Sequence, residues 1–180
     1  MKYKIILIDD NAWEHVAGKL KSMFALSGLE LQVYASVDEG HAAINASSDS
    51  RCPCDLFVID LMMPSGETYK AEETHDGLIT GLYLARDIRA RFPLVPIILW
   101  SGTNLKTVRL LAIHMETKLS KCIFVNKPLP PEKLVELVDG YFKEGKFSVS
   151  IMKKIWDGIV LKPAIGGLGI DVKKLLKSED

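Results

Sequence analysis

Apolar residues in this chain gather into five short runs, four nearly unbroken and one (30–34) alternating with polar residues, separated by longer stretches in which they recur every three or four positions. The runs are KIILID (4–9), ELQVY (30–34), DLFVID (55–60), VPIILWS (95–101) and KCIFVN (121–126). Continuous apolar runs of this length are predicted strands, buried on both faces. The stretch 12–26 carries Trp13, Val16, Leu20, Met23 and Phe24 at helical spacing, stops at Ser27-Gly28, and has Asn11 placed to cap it. Helices are also predicted over 36–46, over 77–92 with Leu78, Gly81, Leu82, Ala85 and Ile88 on one face, and over 104–119 behind Asn104. Pro130-Pro131 opens a last amphipathic helix through Leu134, Leu137, Val138 and Phe142, because proline is tolerated in a first helical turn.

Strands alternating with helices in this way imply βαβ units, a parallel sheet and right-handed crossovers, which is a doubly wound α/β fold. In one common strand order, 2-1-3-4-5, the winding reverses between strands 1 and 3, and ligands bind at the carboxyl ends there. Asp9 and Asp10 close the first run, Asp60 closes the third, and Lys127 follows the fifth. Carboxylates crowded at the rim of a dry sheet repel one another, so they share protons, pair with cations or bind metal. One lysine does not balance three acids. A hard divalent cation such as Mg2+ completes the balance and leaves positions open for a phosphate oxygen, so the cluster points to phosphoryl chemistry.

Composition narrows the setting. A chain of 180 residues, 48% apolar and 26% charged, fits one domain with an extension. Lys plus Arg equals Asp plus Glu at 23 each, so no global field draws it to nucleic acid or anionic lipid. No run is long enough for a signal peptide or membrane span, and the cysteines are few and odd in number, which implies a reducing cytoplasm. Cys52 and Cys54 form a C-x-C pair with no second Cys or His pair at ligand spacing, so reduced, partly buried thiols are expected rather than zinc.

Taken in order, the motifs resemble those of the receiver domain of two-component response regulators, over roughly residues 3–143. Asp9-Asp10-Asn11 is similar to the family's acidic pair, and Asp60-Leu61-Met62-Met63-Pro64 to its phosphoacceptor motif. Ser101 stands where the family has Ser or Thr, Lys127-Pro128 matches its Lys-Pro, and Phe124 falls at the switch aromatic position. The resemblance implies a flavodoxin-like (βα)5 receiver over 1–144 and an extension over 145–180. It also implies that Asp60 accepts a phosphoryl group from a partner histidine kinase or phosphotransfer protein. Mg2+ would be held by Asp10, Asp60 and the Met62 carbonyl, with Asp9 assisting. Lys127 and Ser101 would each bind a phosphoryl oxygen, and rotation of Ser101 would let Phe124 turn inward. That motion would repack the surface of the fourth predicted helix, the fifth strand and the last helix for a downstream protein. Such a domain catalyses only its own phosphorylation and dephosphorylation and is otherwise not an enzyme. Met62 and Thr103, at positions that resemble tuners of phosphate lifetime, carry no acid or amide, so no specially fast hydrolysis is expected.

Two features depart from the family. Between Pro64 and Asp76-Gly77 lies SGETYKAEETH (65–75), longer than the family's usual connection, and it either covers the site or points away as a solvated polar loop. Its Glu67, Glu72 and Glu73 outnumber Lys70, and His75 is its one histidine. The tail from Gly145 sets Val149, Met152, Ile155, Trp156, Ile159 and Val160 on one helical face before Pro163 and Gly166-Gly167-Leu168-Gly169 break the chain. It is too short for a usual DNA-binding output domain; it packs on its own domain, meets a dimer mate or partner, or forms a minimal nucleic-acid or membrane device. Two other functions compete with the phosphorylated receiver. An adaptor of receiver shape would act without phosphate, and an Mg2+-dependent phosphohydrolase would need a second carboxylate two residues after Asp60, where Met62 stands.

Overall fold

The five apolar runs form one parallel sheet in the order β2-β1-β3-β4-β5. The computed structural model describes residues 2–11, 14–47, 51–102, 121–127 and 130–147, with the backbone alone at 14–16. Its strands are β1 (Lys4–Ile8), β2 (Glu30–Tyr34), β3 (Leu56–Asp60), β4 (Ile97–Ser101) and β5 (Cys122–Asn126). Its described helices are α1 (Glu14–Leu26), α2 (Val37–Asn45), α3 (Thr80–Arg91) and α4 (Pro131–Glu144). The helix expected over 104–119 and the extension beyond 147 lie outside the described residues.

Alternation of side chains along each strand splits the runs between two apolar layers. Ile6, Ile8, Phe57, Ile59, Ile97, Leu99, Cys122 and Phe124 face α2 and α3, meeting Ile44, Leu82, Ala85 and Ile88. Ile5, Leu7, Leu56, Val58, Ile98, Trp100, Ile123 and Val125 face α1 and α4, meeting Leu20, Phe24, Leu134, Leu137 and Tyr141. Every residue of β3, β4 and β5 is buried, as central parallel strands require.

The helix ends follow local chemistry. Ser36 caps α2 by accepting the Glu39 N–H, and Gly145 ends α4 in the left-handed conformation at φ 70. Helix α3 starts at Thr80 rather than 77, because His75, Asp76 and Gly77 all have positive φ (52, 54 and 92) and interrupt any helix before it. Asn11 does not turn to α1 with its side chain; its amide donates to Asp10 Oδ1 at 3.0 Å. Cys52, Cys54 and Cys122 form no disulfide, and the last two are buried.

Candidate functional site

At the carboxyl ends of β1, β3 and β5 the chain brings Asp9, Asp10, Asp60 and Lys127 together. Lys127 Nζ donates to Asp9 Oδ2 at 2.8 Å and to Asp60 Oδ2 at 2.7 Å. Asp9 and Asp60 are buried, whereas Asp10 is half-buried. One carboxylate oxygen from each of Asp9, Asp10 and Asp60 lies within 4.8 Å of the others. The remaining oxygens are partly used by the backbone: Asn11 N–H donates to Asp9 Oδ1 at 2.9 Å and Met62 N–H to Asp60 Oδ1 at 3.2 Å.

Burial pushes the Asp60 carboxyl up to about 6, and the Asp9 charge adds to this, opposed in part by Lys127. Burial and the Asp9 charge also raise Asp10 above its ordinary value. Burial alone would lower Lys127, but the attraction of Asp60 and Asp9 outweighs it and holds the ammonium above its usual range. The site is therefore short of positive charge. Its donors are hard oxygens, clustered and partly dry, and three carboxylates against one ammonium leave an excess that a divalent cation such as Mg2+ fits. Asp9, Asp10 and Asp60 each offer a carboxylate oxygen that could hold it.

The loop carrying Asp60 is locked from three sides. Leu61 N–H donates to Trp100 O at 3.1 Å, Gly81 N–H to Leu61 O at 3.0 Å and Met63 N–H to Gly77 O at 3.2 Å. Gly81 is required here because any Cβ would overlap the Asp60 carbonyl oxygen. Ser101, the last residue of β4, is fully buried, and its carbonyl accepts the Lys127 N–H at 2.7 Å. Phe124 is also fully buried, packed inward with the layer that faces α2 and α3. Thr103 and Pro128 lie outside the described residues.

Sequence reasoning missed four features of this region. The Trp100 ring centroid stands 5.2 Å from Lys127 Nζ, a cation–π contact. Thr80 Oγ1, Trp100 Nε1 and Asn126 Oδ1 are buried with no hydrogen-bond partner. Apart from Arg89 Nε and Nη2, these are the unpartnered buried side-chain atoms among the described residues, and all three belong to segments that frame the acidic cluster. Asn126 alone had a sequence signal, as the one polar residue in the run CIFVN.

The 65–75 segment does not extend freely into solvent. Asp38, in the first turn of α2, accepts the Glu67 N–H at 3.0 Å, the Thr68 N–H at 2.9 Å and the Thr68 hydroxyl at 2.5 Å. Tyr69 donates its hydroxyl to Asp87 on α3 at 2.7 Å and packs against His41 and Tyr83. Thr74 is fully buried. These contacts seat the segment on α2 and α3. Glu67, Lys70, Glu72 and Glu73 stay exposed to solvent, and the segment's side-chain contacts go to the helices rather than to Asp9 or Asp60.

A scan against protein-family models finds no match, nor does a search among curated proteins. Solved structures do match. A CheY-like response regulator receiver domain protein from Methanospirillum hungatei JF-1 is 16% identical, with 86% of this chain and 99% of that one covered and a TM-score of 0.59. The Francisella response regulator 1452 receiver domain is 23% identical over 81% of this chain and 100% of its own, at a TM-score of 0.56. DrrB, an OmpR/PhoB homologue from Thermotoga maritima, is 18% identical over 82% of this chain, which spans only 55% of DrrB, also at 0.56. With its strand order, its two helical layers and its acidic carboxyl-end cluster, the chain has the fold of response regulator receiver domains.

Proposed function

We propose that this chain is a receiver that accepts a phosphoryl group on Asp60 from a histidine kinase or phosphotransfer protein. The observation that carries the reading is the Lys127 ammonium, bonded to both Asp9 and Asp60 inside a cluster that also holds Asp10. Asp60 sits at the end of a rigid strand with its backbone locked, so its carboxylate is held in place for attack. A carboxylate oxygen of Asp60 forms the new bond to phosphorus as the phosphorus–nitrogen bond of the donor phosphohistidine breaks, and the electron pair returns to the imidazole. Lys127 moves from the Asp60 oxygen to an oxygen of the transferred group, keeping its contact with Asp9. The Ser101 hydroxyl donates to another phosphoryl oxygen. Bound Mg2+ would neutralise the charge that builds on the transferring group.

The acyl phosphate then changes the packing around Ser101 and Phe124, which alters affinity for a downstream protein. The chain is thus a regulated binding module whose chemistry is confined to its own phosphorylation and dephosphorylation. Among the described residues no helix is long and apolar enough to cross a membrane.

Incubation with Mg2+ and acetyl phosphate, followed by intact-mass measurement, should add one phosphoryl group to the wild type and none to Asp60→Asn. Failure of every donor, including a phosphorylated histidine phosphotransfer protein, overturns the reading. Partner capture that is indifferent to Asp60→Asn would point instead to an adaptor.

A further inference from the structure

We propose that Trp100 is a positioning residue for phosphoryl transfer: the face of its indole ring holds the Lys127 ammonium in the site while that ammonium passes from Asp60 to the arriving group. The inference rests on the proposed phosphoacceptor role and adds a residue to its machinery. Strand register puts the ring in the path of the lysine. Asp60 pairs with Trp100 across β3 and β4, and Trp100 pairs with Val125 across β4 and β5. Val58, Trp100 and Val125 belong to the layer that faces α1 and α4. By alternation Asp60, two residues after Val58, and Lys127, two after Val125, take that same side. Trp100 therefore stands on the strand between them. The lysine that donates to Asp60 Oδ2 at 2.7 Å reaches over its ring, with Nζ 5.2 Å from the ring centroid.

Burial and hydrogen bonding make the ring face, rather than the bulk or the N–H, the working part of this side chain. Trp100 is 7% exposed and its Nε1 is buried with no hydrogen-bond partner, so an indole here leaves a donor unsatisfied that phenylalanine or leucine would not have. What offsets that loss is the strongest cation–π face among the aromatic side chains, set against an ammonium whose side chain is only 21% exposed. At rest the ring shares the ammonium with Asp9 at 2.8 Å and Asp60 at 2.7 Å. Transfer changes that balance. Once an Asp60 oxygen is bonded to phosphorus, the carboxylate charge there is gone, and Lys127 turns to a phosphoryl oxygen with Asp9 and the ring keeping it in place. Loss of the ring is thus felt more in the transition state than at rest, where Asp60 still holds the lysine, and only such a difference alters the rate.

Trp100→Leu should slow labelling by acetyl phosphate at saturating Mg2+ about five- to tenfold, the range of a partly desolvated cation–π contact, and Trp100→Phe, which keeps a weaker face, about two- to threefold. In a Lys127→Met background Trp100→Leu should slow the residual labelling by less than about twofold, because the cation through which Trp100 acts is gone. A packing role alone would slow both backgrounds alike. Fluorinated tryptophans separate the charge distribution of the ring from its shape. In a chain carrying Trp13→Phe and Trp156→Phe, labelling should slow stepwise as fluorines are added to the indole, reaching about fivefold for the fully fluorinated benzo ring. This series decides the matter where the leucine variant does not fold. Unchanged labelling in Trp100→Leu, equal slowing with and without Lys127, or rates indifferent to fluorination each overturns the proposal. A wild type that takes no label from acetyl phosphate or from a phosphorylated histidine phosphotransfer protein overturns the phosphoacceptor reading, and this inference with it.

Discussion

Replacing Asp38 with alanine should release the 65–75 segment while leaving the sheet folded. The Asp38 carboxylate is the single acceptor for three donors, the Glu67 and Thr68 amides and the Thr68 hydroxyl. Hydrogen bonds to a charged acceptor contribute about 1.5–3 kcal/mol each when buried, but Asp38 is only half-buried and water replaces part of what is lost. About 1 kcal/mol per donor is the appropriate scale, or roughly 2–3 kcal/mol for the clamp. The remaining anchors, Tyr69 to Asp87 and the buried Thr74, do not depend on Asp38, so the loss falls on local opening rather than global unfolding. Amide hydrogen exchange at Glu67 and Thr68 should accelerate by about 30- to 150-fold, at 1.4 kcal/mol per factor of ten, while the amides of β3 and β4 keep their protection. Trypsin should also cut after the exposed Lys70 sooner. The clamp has a pH signature. The Thr68 hydroxyl and the Glu67 amide hold the Asp38 carboxyl below its ordinary value of 3.8. A depressed carboxylate pKa stabilises above the unfolded value and loses that effect as pH falls through the folded one. Protection at these two amides should therefore hold at pH 5 and disappear only below the ordinary aspartate range. Equal exchange rates at Glu67 and Thr68 in wild type and Asp38→Ala would refute the clamp.

Gly81→Ala forces a Cβ onto the Asp60 carbonyl oxygen and within 2.8 Å of Leu61 Cα, so urea unfolding should show a loss of about 3 kcal/mol; under 1 kcal/mol would mean the α3 start is misplaced. Mg2+ at tenfold its dissociation constant should stabilise the wild type by about 1.4 kcal/mol, a rise of roughly 4 °C in Tm, and the rise should shrink in Asp10→Asn. Lys127→Met should slow acetyl phosphate labelling at least tenfold, because the ammonium bonded to Asp60 is removed. In chelator, the same variant should gain more stability than wild type on going from pH 7 to pH 5. Burial already raises Asp60 to about 6, a carboxylate raised in the folded state destabilises above that value and is relieved as pH falls toward 3.8, and loss of Lys127 raises it further.

The two kinds of long-range contact in this site were not equally readable. Asp9 and Lys127 are 118 residues apart, yet their meeting follows from a general rule: unbroken apolar runs are central parallel strands, and their carboxyl ends share one edge. Asp38 and Thr68 are 30 residues apart and no such rule joins them, since both lie on polar surface where periodicity carries no signal. The same reason hid the start of α3. Leu78 and Leu82 keep helical spacing across the observed start at Thr80, whereas the left-handed backbone at His75, Asp76 and Gly77 ends any helix before it. Asn126 shows the intermediate case. Its place at the end of an apolar run was visible, but its meaning depended on which residue of β4 stood beside it. Register is what sets Asn126 beside Ser101 on the last rung between β4 and β5. The 65–75 segment, fastened at Asp38 and Asp87 and joined through Gly77 to the backbone of Met63, ties α2 and α3 to the loop that follows Asp60. A shift in that loop on phosphorylation would therefore be passed to the α2 and α3 face as well as to Phe124.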